Sequence, residues 1–406
     1  MLDFIGSIVG TLAAFVAVLG LVIVIHELGH FSVAKLFGVR IDRFSIGFGK
    51  TIWSRIDKSG VEWRLAALPL GGYVKFSGDL DVTGVPDREG LDALKEQIVA
   101  EQGPGAERAY YHFKPIWQRA LVVLAGPVAN FLLAIAIFAT LALALGETVL
   151  VKPRIGSIEA GSPAAAAGFQ VGDLIVEADG RAIRRWQDLA QHVMMRADQP
   201  VAFEIERGDQ TLNLTATPAG RDIRSEVDQS TVRIGYLGVG ASRAAGDIVT
   251  HRYSLPEAVV EGVRQTGGVL DASITYIGRI FSGRENGDQL SGPIGIARAS
   301  GAIAGQAAES AESVGDAVGR VFLSLLYLSG LLSVAVGFFN LLPVPILDGG
   351  HLVFYAYEAV ARRPLNAQIQ EAGFRVGLAL LVGLMLFATW NDLNKLNLFA
   401  FLGGTS

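Results

Sequence analysis

Four stretches of the chain are apolar over long runs. The first covers about residues 4–37 and contains TLAAFVAVLGLVIVI; the second, residues 120–146, carries no charge. The third, residues 321–347, carries none either, and the fourth, residues 376–390, is short but can extend at both ends. A bilayer-crossing helix needs about 20 mostly apolar residues. The pattern therefore predicts a polytopic α-helical membrane protein with about four transmembrane helices. The first stretch lacks the basic start and the small-residue cleavage site of a signal peptide, so it reads as a retained span.

The polar intervals carry their own patterns. Residues 61–76, VEWRLAALPLGGYVKF, show strand-like runs around a Pro/Gly turn at 69–72, which predicts a β-hairpin. Residues 79–110 are acidic and read as a solvated loop with a short helix. From residue 150 onward come short β-like runs, a Ser162–Pro163 helix start closed by Gly168, an Asp179–Gly180 turn and a helical WQDLAQHVM. Together they predict a compact inserted α+β module. Leu255, Val259, Val263, Leu270, Ile274 and Ile277 then recur at helical spacing. That predicts an amphipathic helix lying at the membrane surface, or else one packed on the module.

Charge sets the orientation. Arg40, Arg43, Lys114, Arg119, Arg362, Arg363 and Arg375 flank the spans, and such residues favour the cytoplasmic side. The expected plan is a first span over 1–38, a cytoplasmic-side region with a membrane-associated loop and β-hairpin over 39–117, and a second span over 118–146. An outward module over 150–240 and an outward amphipathic helical region over 241–319 follow. A third span over 320–348, a cytoplasmic loop over 349–373 and a fourth span over 374–395 complete it.

Composition narrows the chemistry. Hydrophobic residues make up 51% of the 406, charged residues only 18%, and mean hydropathy is +0.41. That excludes a plain soluble protein and a disordered one. With no cysteine, disulfides, iron–sulfur clusters and thiol nucleophiles are excluded. A net charge of −5 without a basic block gives no reason to expect nucleic acid as a partner. Any metal site must draw on the six histidines and on carboxylates.

His26-Glu27-Leu28-Gly29-His30 is HExxH. On a helix its histidines share one face about 6 Å apart along the axis, a spacing that suits two imidazole ligands to one zinc ion. Glu27 then sits one residue round, placed to act on water rather than to ligate. Three ionisable groups at membrane depth are costly unless paired or metal-bound. A catalytic zinc usually takes a third protein ligand. Asp348, in NLLPVPILDGGH at the end of the third apolar stretch, is the preferred candidate. His351 is the alternative. Pro343 and Pro345 break the helix there, and Gly349 and Gly350 let the backbone turn.

HELGH, the NxxPxPxLDGG pattern, PLGGYVKF, KPIWQRALVVLAGPVANF and SGPIGIA together resemble the site-2 proteases, specifically the bacterial RseP-type intramembrane zinc metalloproteases. The resemblance covers essentially the whole chain. It implies Zn²⁺ held by His26, His30 and Asp348, Glu27 as general base, and Asn340 orienting substrate or oxyanion. Asn130 is assigned to packing. The outward module looks like a PDZ domain, able to bind a carboxy terminus or to act as a size filter. Only one such module is visible, where the enterobacterial relatives carry two; residues 221–245 either complete it or form a linker.

The hairpin, with Gly71, Gly72 and Tyr73, is expected to hold an unwound substrate by strand addition. Gly47-Phe48-Gly49 is expected to dip into the membrane beside it. Implied partners are the lipid bilayer and transmembrane protein substrates, of the anti-sigma-factor kind or signal-peptide remnants. The implied location is the bacterial inner membrane, with the active site towards the cytoplasm and the module in the periplasm. A catalytically silent PDZ scaffold is the alternative. A transporter is disfavoured, because no inverted repeat is visible.

Overall fold

The computed structural model describes residues 2–78, 88–150, 152–224, 231–244, 246–283, 287 and 290–395. It divides into two compact units, one of residues 1–141, 257–278 and 287–406, the other of residues 142–256 and 279–286.

In the first unit the apolar runs are helical. Among the described residues four segments are long and apolar enough to cross a membrane, at Ile8–Leu36, Ile116–Leu145, Val314–Asn340 and Gln368–Leu393. They lie in α1 (Leu2–Leu36), α3 (Ile116–Leu145), α8 (Val314–Asn340) and α10 (Ala367–Lys395). The acidic interval holds α2 (Arg88–Gln102); residues 79–87 of that predicted loop lie outside the described residues. Helix α8 starts at Ser313, whose hydroxyl accepts the N–H of Asp316. The third span is shorter than expected, because α8 stops at Asn340 and residues 341–347 are irregular around the two prolines. Asp348 does not end that span; it opens the next helix, α9 (Asp348–Ala361). Most of the predicted 349–373 loop is thus helical.

The helical region expected over 241–319 also differs in detail. It contains α6 (Leu255–Phe281) and α7 (Pro293–Glu309). A Cβ on Gly262 of α6 would lie 2.5 Å from the Ile135 carbonyl oxygen, so the absent side chain lets α6 pack directly on α3. Val269 and Leu270 join the cluster of Ala134, Phe138 and Val334. Helix α7 packs against α1 and α8. Its first turn is tied to α10 by the buried Asp392, which accepts the N–H groups of Gly292 at 3.0 Å and Gly295 at 2.7 Å. Residues 257–278 of α6 and all of α7 therefore belong to the first unit, and the packing of α6 on α3 adds a contact that the sequence reading does not contain.

The predicted hairpin is a different sheet. Strand β1 (Ile41–Ile56) pairs antiparallel with β2 (Glu62–Phe76), and the turn between them is at residues 57–61, not 69–72. Asp57 fixes that turn by accepting from the Ser59 and Val61 N–H groups and from Trp63 Nε1. The register shows Phe44 opposite both Val74 and Trp63, and Ser45 opposite both Tyr73 and Arg64. The first half of β1 is thus a middle strand, flanked on either side by the two halves of β2. The runs on each side of 69–72 do not pair with each other, since 43–46 lies between them. Gly47-Phe48-Gly49 is part of β1 rather than a separate loop.

The second unit contains β3 (Glu147–Leu150), β4 (Ile155–Ile158), α4 (Pro163–Ala166), β5 (Leu174–Ala178), β6 (Arg181–Ala182), α5 (Trp186–Met194), β7 (Val201–Arg207), β8 (Gln210–Ala216), β9 (Ala219–Arg224), β10 (Thr231–Tyr236), β11 (Val239–Ala241) and β12 (Ile248–His251). The main sheet runs β6-β5-β7-β8. Alternating Val201, Phe203 and Ile205 point inward on Ile175 and Leu189. Residues 231–241 complete this module: β11 pairs with β4, and Leu237 lies in the same core. The linker alternative for that stretch therefore does not hold.

Candidate metal centre

The centre is built where α1 meets α3. A Cβ on Gly29 would lie 2.3 Å from the Ala125 carbonyl oxygen, so the two backbones touch at the HExxH turn. Gly126 makes the matching space on α3: its Cβ would lie 2.3 Å from His30 Nε2 and 2.9 Å from His26 Cε1. The third element is α9. Gly349 and Gly350 are helical, not turn residues with positive φ. Their need is close approach, since a Cβ on either would fall 2.3 Å from a carbonyl oxygen of Leu341, Leu342 or Val344. That packing holds the first turn of α9, and so Asp348, against the irregular segment.

The structure brings His26, His30 and Asp348 together. His26 Nε2 lies 3.2 Å from His30 Nε2 and 3.2 Å from Asp348 Oδ2, and His30 Nε2 lies 3.5 Å from the same oxygen. A tetrahedral ion with ligands at about 2.0–2.1 Å has ligand–ligand edges of about 3.3 Å, so the triangle is the right size for one face of a zinc coordination sphere. Asp348 Oδ2 is buried and, apart from the two imidazoles, has no hydrogen-bond partner, as suits a carboxylate oxygen directed at a shared cation. Two imidazoles and one carboxylate are a donor set that suits zinc and leaves a fourth position open. The residues therefore fit the metal.

The surroundings orient the ligands. His30 Nδ1 is 2.9 Å from the Val122 carbonyl oxygen, which places its ring proton there and leaves Nε2 for a metal. Glu27 is beside the triad and accepts the N–H of Val74 in β2. The side-chain alternation of β2 divides the three residues expected to bind substrate. A Cβ on Gly72 would lie 3.0 Å from Glu27 Cγ, whereas one on Gly71 would strike the Phe48 ring. Tyr73 stacks on the same Phe48 ring and accepts from Arg43. Only Gly72 adjoins the centre. Asn340 closes α8 and, among the described residues, makes no hydrogen bond to the triad. His351 is outside the cluster, its ring against Phe354 and Phe374.

Asn130, expected to serve packing alone, is fully buried with its Nδ2 3.2 Å from His26 Nδ1. Its sequence signal was that it is a strongly polar amide in an uncharged span, four residues after Gly126 and so on the same helix face.

Residues 14–384 match Peptidase family M50. The chain belongs to that family. This M50 peptidase is 46% identical over 97% of its length to the metalloprotease MmpA of Caulobacter vibrioides, covering 98% of that protein. It is 39% identical over 96% of its length to an Agrobacterium fabrum protein bearing the provisional name of zinc metalloprotease, covering 97% of it. A PDZ domain of an SdrC-like protein from Listeria monocytogenes is similar over 20% of this chain and 84% of its own, at 21% identity and a TM-score of 0.17. The M50 peptidase is a membrane metalloprotease.

Proposed function

We propose that this M50 peptidase is an intramembrane zinc endopeptidase that cuts the transmembrane segments of single-span proteins, of the anti-sigma-factor kind or remnant signal peptides. The observation that carries the reading is the convergence of three metal donors, from two helices at opposite ends of the chain, beside a carboxylate that is not itself one of them. Bound zinc supplies Lewis-acid polarisation of the scissile carbonyl and makes water more acidic. His26, His30 and Asp348 would hold it. Glu27 takes the proton from the attacking water and passes it to the leaving amine. Asn340 orients the substrate or its oxyanion.

A helical peptide bond is shielded by its own turns, so the substrate must be extended before it is cut. The outer edge of residues 72–76, the edge that faces Glu27, is suited to hold it by strand addition. The cation-rich flanks of the spans favour a cytoplasmic-side centre in a bacterial inner membrane, with the PDZ-like module in the periplasm; the family resemblance adds a size-filter role for that module.

The deciding experiment uses the full chain in proteoliposomes with a single-span reporter. Glu27→Gln is expected to retain zinc at wild-type stoichiometry and to lose cleavage by roughly 10²–10⁴-fold, the usual contribution of a general base. Cleavage by Glu27→Gln at the wild-type rate rejects the reading.

A further inference from the structure

Resting on the zinc reading above, we infer that Asn130 is the positioning residue for His26: its Oδ1 accepts the His26 Nδ1 proton and so presents Nε2 as an unprotonated metal ligand. The two histidines are not equivalently supported in the structure. His30 Nδ1 has a backbone carbonyl, that of Val122, at 2.9 Å. A backbone carbonyl only accepts, so His30 is locked in the tautomer that ligates through Nε2. Asn130 is the group at His26 Nδ1, and an amide has both a donor end and an acceptor end.

In the structure the amide presents Nδ2 to His26 Nδ1 at 3.2 Å. Nδ2 donates there, which puts the ring proton on Nε2, against Asp348 and His30. Asn130 Oδ1 meanwhile is buried and makes no hydrogen bond. That arrangement is incompatible with ligation, because a protonated Nε2 has no lone pair to give. A half-turn of the amide exchanges Nδ2 and Oδ1 with almost no change of shape. The oxygen then accepts from Nδ1, and Nε2 is released for the metal. Ligating histidines nearly always donate their other ring N–H in this way.

The amide is mounted to do this. Asn130 is 0% exposed and His26 is buried beside it, so the contact lies away from bulk solvent. Its own backbone carbonyl accepts the hydroxyl of the equally buried Ser333 at 2.8 Å, which ties that turn of α3 to α8. A chain of contacts therefore runs His26 on α1, Asn130 on α3 and Ser333 on α8.

The test is zinc affinity of the purified full-length protein in detergent, measured by competition with a chromophoric chelator, with zinc-free thermal unfolding as the folding control. Asn130→Leu keeps the volume and removes the acceptor, and is expected to weaken zinc binding about 10–100-fold. Asn130→Asp offers only acceptors and is expected to restore affinity to within a few-fold of wild type. Wild-type affinity in Asn130→Leu, or equal losses in the Leu and Asp variants, overturns the inference. If Asn130→Leu fails to fold, the Asp variant and Asn130→Ser, whose hydroxyl is too short to reach, carry the same comparison. His26→Ala separates the two readings: if it too leaves zinc affinity unchanged, the metal centre itself is wrong. If it abolishes binding while Asn130→Leu does not, only the role of Asn130 is.

Discussion

Gly126 is the residue on which the centre is most directly balanced. A methyl group there would sit 2.3 Å from His30 Nε2, so either the imidazole turns away or α3 retreats. Gly126→Ala is expected to lower zinc affinity at least tenfold by chelator competition, in the range seen when ligand support is lost. Gly20→Ala, on α1 with nothing within 4 Å of the added methyl, is the matched control and is expected to bind as wild type. Equal affinities for the two variants would contradict this account of the crossing. His26, Glu27 and His30 were legible because their relation is local: four residues of helix place both rings whatever the rest of the chain does. The roles of Gly126 and Asn130 exist only where α1 and α3 cross, and a single sequence does not state which residues of two helices meet. The structure sets Asp348 beside His26 and His30, but on α9 rather than at the end of the third span. Two prolines read as ending the span, and the helix that begins immediately after them was not anticipated.

At the scale of elements, a partly buried ion pair shows how the module keeps its shape. Arg207 on β7 donates from Nε and Nη2 to both oxygens of Asp173, at 2.7 and 2.8 Å, and the Gln170 N–H adds a third bond at 2.8 Å. Burial pushes the Asp173 carboxyl up, and these hydrogen bonds and the Arg207 charge outweigh it, so it lies below the ordinary carboxylate value. A carboxylate lowered in the folded state stabilises fully above its unfolded value of about 3.9 and loses that contribution as the pH falls through the folded value. Asp173→Asn is expected to cost about 2–3 kcal/mol at neutral pH, the range for hydrogen bonds to a charged group. The difference from wild type should shrink below about pH 4. Hydrogen exchange of β5 and β7 in the full chain measures both; a difference that widens in acid would reverse the sign of the argument. The elements of this module were readable, since period-two alternation and Asp179–Gly180 are short-range signals. The β1–β2 sheet differs from the expected hairpin because its strands look continuous along the chain while the two halves of β2 lie on both sides of residues 43–46. Pairing order is a non-local property, and a Pro/Gly cluster marks a bend without saying whether the flanking runs pair.

At the scale of the molecule, the module enters and leaves the chain at one place. Strands β3 and β12 are antiparallel neighbours, with Leu150 opposite Ile248 and Glu147 opposite His251. An insertion whose ends are paired can be removed without stretching what remains. A two-residue Asn-Gly turn joining Leu150 to Ile248 would close the pair as an ordinary hairpin, because that turn matches the twist of antiparallel strands. The boundaries matter: removing only residues 152–220 would strip β4 from β11 and leave the apolar Leu237 without its core. Excision of residues 151–247 is therefore expected to leave zinc affinity unchanged, since none of the three donors lies in that range. If the module is a size filter, the excised protein should cleave single-span substrates with bulky folded outward domains at least tenfold faster than the full chain. Substrates already trimmed outside the membrane should be cut at the same rate by both. The comparison is made in proteoliposomes, with zinc content measured alongside. Undiminished zinc with no gain on bulky substrates would show that the module does not exclude them.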